Sequence, residues 1–282
     1  MSSFRSRNRL AFAGFIIVTL VSVSAIMAPW LVLYEPSAQQ LPERLSGPSL
    51  EHPFGTDELG RDMFSRVLMG TRVSMRVGAT VVLLSSVVGV LIGGAAGYLG
   101  GRFDAFVTAI VIDSFLAFPG ILLAIALVAF LGPGLDRLIL ALVVMGWVGF
   151  ARLARGQVLK VKSLDFVEAV RALGASGPRI FFLHVLPNIV QPVLVQVSVG
   201  MAVAILAEAS LSFLGLGIAP PTPSWGAMLN QARNHLFDAP HMVIFPSLVL
   251  MVTVLSFNLL GDGIRDWLDP KTLGTNRERV TP

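Results

Sequence analysis

Two carboxylates stand inside long apolar stretches: Asp113 in AFVTAIVIDSFLAF and Glu208 in VGMAVAILAEASLSF. An ionised side chain in such surroundings is costly unless it faces a polar cavity or finds a partner. Asp113 therefore reads either as a structural hydrogen-bonding group or as a contact for the ammonium of a passing solute. Glu208, near the expected outer end of its run, reads as an anchor or a gate contact. The chain has no cysteine, so disulfide frameworks and thiolate metal sites are excluded. His52, His184, His235 and His241 do not form a compact ligand-spacing motif, and a catalytic metal has no support in the sequence. The phosphate-cradling pattern GxxxxGK followed by Ser or Thr is also missing. Polar recognition in an apolar medium is the chemistry these residue types offer.

The elements that must hold those carboxylates are membrane helices. Of 282 residues, 54% are hydrophobic and 13% charged, against about 25% charged in soluble domains. Apolar runs at approximately 10–33, 76–99, 105–131, 137–154, 189–214 and 241–262 reach or approach the roughly 20 residues needed to cross a bilayer. The expected fold is an all-α polytopic membrane protein with six spans. Residues 1–75 form a first membrane helix and an extracytoplasmic loop, and residues 76–282 a five-helix core. Arg5, Arg7 and Arg9 before the first run superficially suggest a secretory signal, but the run is longer than a usual signal core, favouring a retained helix.

Six crossings place both termini, the 100–104 loop and the 155–188 connection on one side. Lys and Arg outside or at the ends of the spans number 14 on that side and 7 on the other, so the positive-inside rule makes the first side cytoplasmic. The net charge of +4 is explained by this distribution without invoking nucleic acid.

The 34–71 connection carries Pro36, Pro42, Pro48 and Pro53, and reads as a cap over the outer surface or as a contact for an extracytoplasmic partner. Thr56, Asp57 and Glu58 are expected to start a short helix over Leu59 to Val67. Gly89, Gly93 and Gly97 share one helical face, which predicts close approach of another backbone, with a hinge at Gly93-Gly94 as the alternative. Pro119, Pro192 and Pro246 are candidate kinks. Trp147, Trp225 and Trp267 are candidate interface markers; Trp147 suits interior packing equally, and Trp225 suits a rigid outer loop.

The segment SLDFVEAVRALGASGPRIFFLHVLPN, residues 163–188, differs from the apolar runs. Asp165 and Glu168 suggest a capping arrangement. Phe166, Val170 and Leu173 form an apolar ridge that stops at Gly174, and Gly177-Pro178 turns the chain into a second short helix before Pro187. Such a helix either lies on membrane lipid or presents its ridge, oriented by Glu168 and Arg171, to a groove on another protein.

This segment resembles the EAA loop of permease subunits of ATP-binding-cassette importers. Glu168, Ala169, Gly174, Leu186 and Pro187 match at the expected separations, whereas Val170 replaces the second alanine and His184 stands at the isoleucine position. HPFGTDELGRDMFSRVLMGTRVSMRVG, EASLSFLGLGIAPPTPSWGAML and GDGIRDWLDP resemble, in order, three further stretches of the C-type permeases in the dipeptide, oligopeptide and nickel branch. The resemblance implies a type I importer permease whose 165–175 helix couples to separate ATPases. Asp165, Phe166, Glu168, Ala169, Val170, Arg171, Leu173, Gly174 and Pro187 would carry that coupling. It further implies a homologous second permease, two ATPases holding ATP and Mg, an extracytoplasmic solute-binding protein and no cofactor in this chain. Peptides are the expected solutes, nickel the alternative, and a secondary transporter, channel or structural adaptor the competing classes.

Overall fold

The computed structural model describes residues 9–268. Arg5 and Arg7, the end of GDGIRDWLDP and both chain termini lie outside the described residues. Among the described residues, nine main helical stretches follow in order: α1 Arg9–Leu31, α2 Met63–Leu99, α3 Gly101–Leu116, α4 Gly120–Leu131, α5 Leu135–Val161, α6 Asp165–Ala172, α7 Gly177–Phe213, α8 Trp225–Ala232 and α9 His241–Leu268. Five of these, α1, α2, α5, α7 and α9, are each long and apolar enough to cross a membrane. The expected span at 105–131 is a broken one: α3 and α4 meet at 78°. Pro119 sits at the break with ψ 117°, outside the helical region, and immediately precedes α4. Pro192 and Pro246 instead lie within α7 and α9.

Helix α2 is central, packing most extensively against α5 and also against α7 and α1, while α9 packs on α1 and α7. The glycine stripe explains the first of these contacts. A Cβ at Gly89 would come within 2.5 Å of Phe150 Cβ and the Trp147 carbonyl, and one at Gly97 within 2.8 Å of the Arg155 carbonyl. At Gly93 it would collide with the Ala151 carbonyl. With no lipid-driven hydrophobic force between helices, such close backbone approach supplies the dispersion contact that holds them. The helix runs unbroken through Gly93-Gly94.

The start of α2 corrects the sequence reading. No separate helix begins at Thr56 to Glu58; Asp62 caps α2 by accepting from Ser65 N at 2.7 Å, and the helix continues from Met63 to Leu99. Asp57 has a different task. Its Oδ1 accepts the backbone N–H groups of Leu59 and Arg61, and its Oδ2 faces Arg61 Nε at 2.6 Å and Arg66 Nε at 3.3 Å. Arg61 and Arg66 also both donate to Gln231 Oε1. These bonds let Arg61, just before the N-cap, and Arg66, in the first turns, be buried at the start of a helix that composition alone would start later. Trp225 is likewise not a loop residue: it opens α8, is fully buried, and donates from Nε1 to the Val67 carbonyl at 3.3 Å. Trp147 is buried and Trp267 is exposed.

Candidate functional site

At one end of the bundle, α6 projects from the connection between α5 and α7. Its first residue is Asp165, but the N-cap is Leu164 in extended conformation, and no side chain caps the helix. The capping arrangement expected of Asp165 and Glu168 is therefore not formed. Both acids lie in the first turn, where they still complement the positive end of the helix dipole. Gly174 ends the helix at φ +86°, a left-handed conformation that disfavours side chains. Its N–H bonds to the Arg171 carbonyl and that of Ala175 to the Val170 carbonyl, closing the last turn.

The apolar face of α6 is turned relative to the sequence reading. Val167 is the buried anchor, entering a cluster with Ala154, Val158, Val161, Ile180 and Phe181, and Val170 packs at its edge. Phe166 and Leu173 point outward instead, 40% and 87% exposed, alongside exposed Glu168, Ala169 and Arg171. Val167 lies three residues before Val170, so the signal for the inward face was present; 166, 170 and 173 do share one helical face, but the bundle covers the neighbouring side, with Val170 at its edge.

The second short helix expected before Pro187 is the start of α7. A π turn over Phe181–Val185 joins Gly177–Ile180 to the long helix from Leu186. The wider turn accommodates Pro187, whose ring would crowd an ordinary α turn; Pro187 itself is exposed. Two bonds fasten this end to α2: Lys162 Nζ donates to the Gly97 carbonyl at 2.6 Å, and Tyr98 Oη to the Gly177 carbonyl at 2.9 Å. The α5–α7 connection is thus tied directly to the end of the central helix.

The two intramembrane carboxylates occupy unlike places. Glu208 on α7 is fully buried; Ser74 on α2 donates to its Oε2 at 2.7 Å and Ser212 to its Oε1 at 2.8 Å. That arrangement is a polar clamp between α2 and α7. Asp113 is exposed and borders a cavity of about 370 Å³ between α3 and α5. Sequence reasoning did not single out the arginines on the facing helix, Arg152 and Arg155, although their spacing of three residues puts them on one side of α5. Among the described residues, no group of three or more His, Cys, Asp or Glu could hold a metal ion.

At the opposite end, the 32–62 segment folds over the starts of α2 and α9 and the end of α8. His52 bridges Asp62 through Nδ1 at 2.8 Å and Glu43 through Nε2 at 3.1 Å. Burial opposes its protonation, but the two carboxylates outweigh burial and raise its pKa above the usual imidazole value. His241 Nε2 contacts the Thr56 carbonyl at 2.9 Å.

A bundle of long apolar helices with a broken span, a cavity lined by charged residues and a short helix projecting from one end is the architecture of a polytopic membrane protein. Residues 89–274 match the family described as binding-protein-dependent transport system inner membrane component, and residues 5–48 match the N-terminal TM domain of oligopeptide transport permease C. The chain belongs to the binding-protein-dependent transport system inner membrane component family. It is 46% identical over 266 residues to the glutathione transport system permease protein GsiD of Pectobacterium atrosepticum, covering 94% of this chain and 88% of that protein. Identity to the Escherichia coli protein of the same name is 46% over 269 residues, 95% of this chain and 88% of the relative. A chain of the MetNI methionine ABC transporter in an inward-facing conformation shares the fold at TM-score 0.55 and 21% identity, over 72% of this chain and 97% of that one.

Proposed function

We propose that this chain is the permease subunit of an ATP-driven importer that carries dipeptides or oligopeptides across the cytoplasmic membrane by alternating access. The observation that carries this reading is the 46% identity, along nearly the whole chain, to permeases of glutathione transport systems. Glutathione is itself a peptide, which favours peptides over a metal ion as the cargo.

In this reading a second, homologous permease stands beside this chain and completes the pathway. Two ATPases hold ATP and Mg and hydrolyse the nucleotide, while an extracytoplasmic binding protein delivers the solute. The side bearing the 155–188 connection is cytoplasmic, in keeping with the excess of Lys and Arg there. Helix α6 is the coupling helix: Val167 holds it on the bundle while Phe166, Glu168, Arg171 and Leu173 remain free to enter an ATPase groove. Closure of the ATPases moves α6, and Lys162 and Tyr98 pass that movement to α2.

The test is reconstitution of the chain with its second permease, two ATPases and binding protein in liposomes. ATP-dependent accumulation of glutathione or a dipeptide, requiring the binding protein, is the expected result. Gradient-driven peptide flux through this chain alone would overturn it.

A further inference from the structure

Asp113 on α3 and Arg152 on α5 border the same cavity of about 370 Å³, together with Thr108, Ile112, Leu116 and Arg155. Arg155 is committed, since Asp104 accepts from both its Nε and its Nη2. Among the described residues, the side chains of Asp113 and Arg152 have no hydrogen bond or ion pair. The cavity therefore presents one free cation and one free anion.

Charges within membrane-spanning segments are tolerated where they face water or a polar partner, and are costly against lipid. The volume falls in the range of small-molecule sites, about 300–1,000 Å³. We propose that this cavity is a solute subsite, in which Arg152 takes a carboxylate of a peptide-like passenger and Asp113 takes its ammonium group. A guanidinium suits the first role because its forked N–H groups match both oxygens of a carboxylate. The Asp104–Arg155 pair beside it is neutral as a unit, so it lines the cavity without competing for either end of the solute. The assignment rests on the peptide-importer reading and adds to it the place where charge is recognised within the membrane.

The test uses the complete complex in liposomes and S-methylglutathione, a tripeptide with an ammonium, two carboxylates and no free thiol. Arg152→Gln and Asp113→Asn are each expected to lower its uptake at least tenfold, and Arg152→Lys to restore part of the loss. Because the chain contains no cysteine, Leu116→Cys, at a lining position that keeps both charges, creates one maleimide target, read on this chain's own band. S-methylglutathione should slow that labelling at least fivefold. Uptake within twofold of wild type in both neutral variants would overturn the subsite. So would full recovery in the charge-swapped pair Asp113→Arg with Arg152→Asp, which would indicate an internal ion pair. Loss of co-purification with the second permease in both neutral variants and in Arg152→Lys would make the charges an inter-subunit contact. Labelling that responds to phosphatidylglycerol content and not to the peptide would make the site one for lipid headgroups. A wild-type complex that imports no peptide would instead refute the substrate reading of the preceding section.

Discussion

Arg155 holds Asp104 with two hydrogen bonds, from Nε at 2.5 Å and Nη2 at 2.7 Å, joining α5 to the first turn of α3. The chain turns at Gly100 between α2 and α3, so this pair fixes the angle at which the broken span leaves the central helix. Hydrogen bonds between charged groups contribute about 1.5–3 kcal/mol each, but partial exposure of both side chains reduces the net effect. Asp104→Ala and Arg155→Ala are each expected to cost about 1–2 kcal/mol, and the double variant less than their sum. Thermal unfolding of the four variants in detergent measures the coupling; additive losses would show that the two residues act separately.

Gly93 and Gly156 predict opposite responses to the same change. A methyl at Gly93 meets the backbone of Ala151, which cannot move aside without parting α2 from α5, whereas nothing lies within 4 Å of one at Gly156. Gly93→Ala should lower stability by about 2 kcal/mol or more, in the range of overpacked cores. Gly156→Ala should raise it by about 0.5–1 kcal/mol through helix propensity. Thermal denaturation of the purified complex gives the comparison, and similar effects at the two positions would discount the helix contact.

His52 makes the fold of the 32–62 segment depend on pH. Its pKa is raised in the folded chain by Asp62 and Glu43 against the opposing effect of burial. A raised pKa means that the imidazolium binds its proton more tightly when the segment is folded. The stabilisation is therefore complete below the ordinary imidazole value of 6.5 and is lost as pH rises through the higher folded value. Hydrogen exchange across residues 43–62 should accelerate on passing from pH 6 to pH 8, beyond the intrinsic effect of pH. His52→Gln should abolish that extra dependence; an unchanged profile would assign it to another group.

On the proposed reading, helix α6 separates anchoring from docking. Val167→Ala removes two methyl groups from the buried cluster and should cost about 1–3 kcal/mol of local stability. Glu168→Lys and Leu173→Ala change only exposed side chains, and should leave the fold intact while lowering solute-stimulated ATP hydrolysis at least fivefold. A photocrosslinker at Leu173 should capture an ATPase more efficiently than one at Val170, which packs inward. Normal coupling in Glu168→Lys and Leu173→Ala together would count against α6 as the docking element.

The membrane character of the chain, the approximate positions of five of its spans, the stop at Gly174 and the close-packing role of Gly89, Gly93 and Gly97 were all legible in residue order. Each depends on a local quantity: the length of an apolar run, a left-handed backbone, or a missing side chain on one helical face. Partnership was not legible, because it is made by residues far apart in the chain. Nothing near Asp57 in the sequence indicates Gln231, which shares its arginines. Nothing near Glu208 indicates Ser74, whose hydroxyl meets it from another helix. The two intramembrane carboxylates were alike by sequence, each a charge that hydrocarbon would penalise. Tertiary packing decided between them, giving Glu208 two hydroxyl donors in the core and leaving Asp113 at an open cavity opposite an unpaired Arg152.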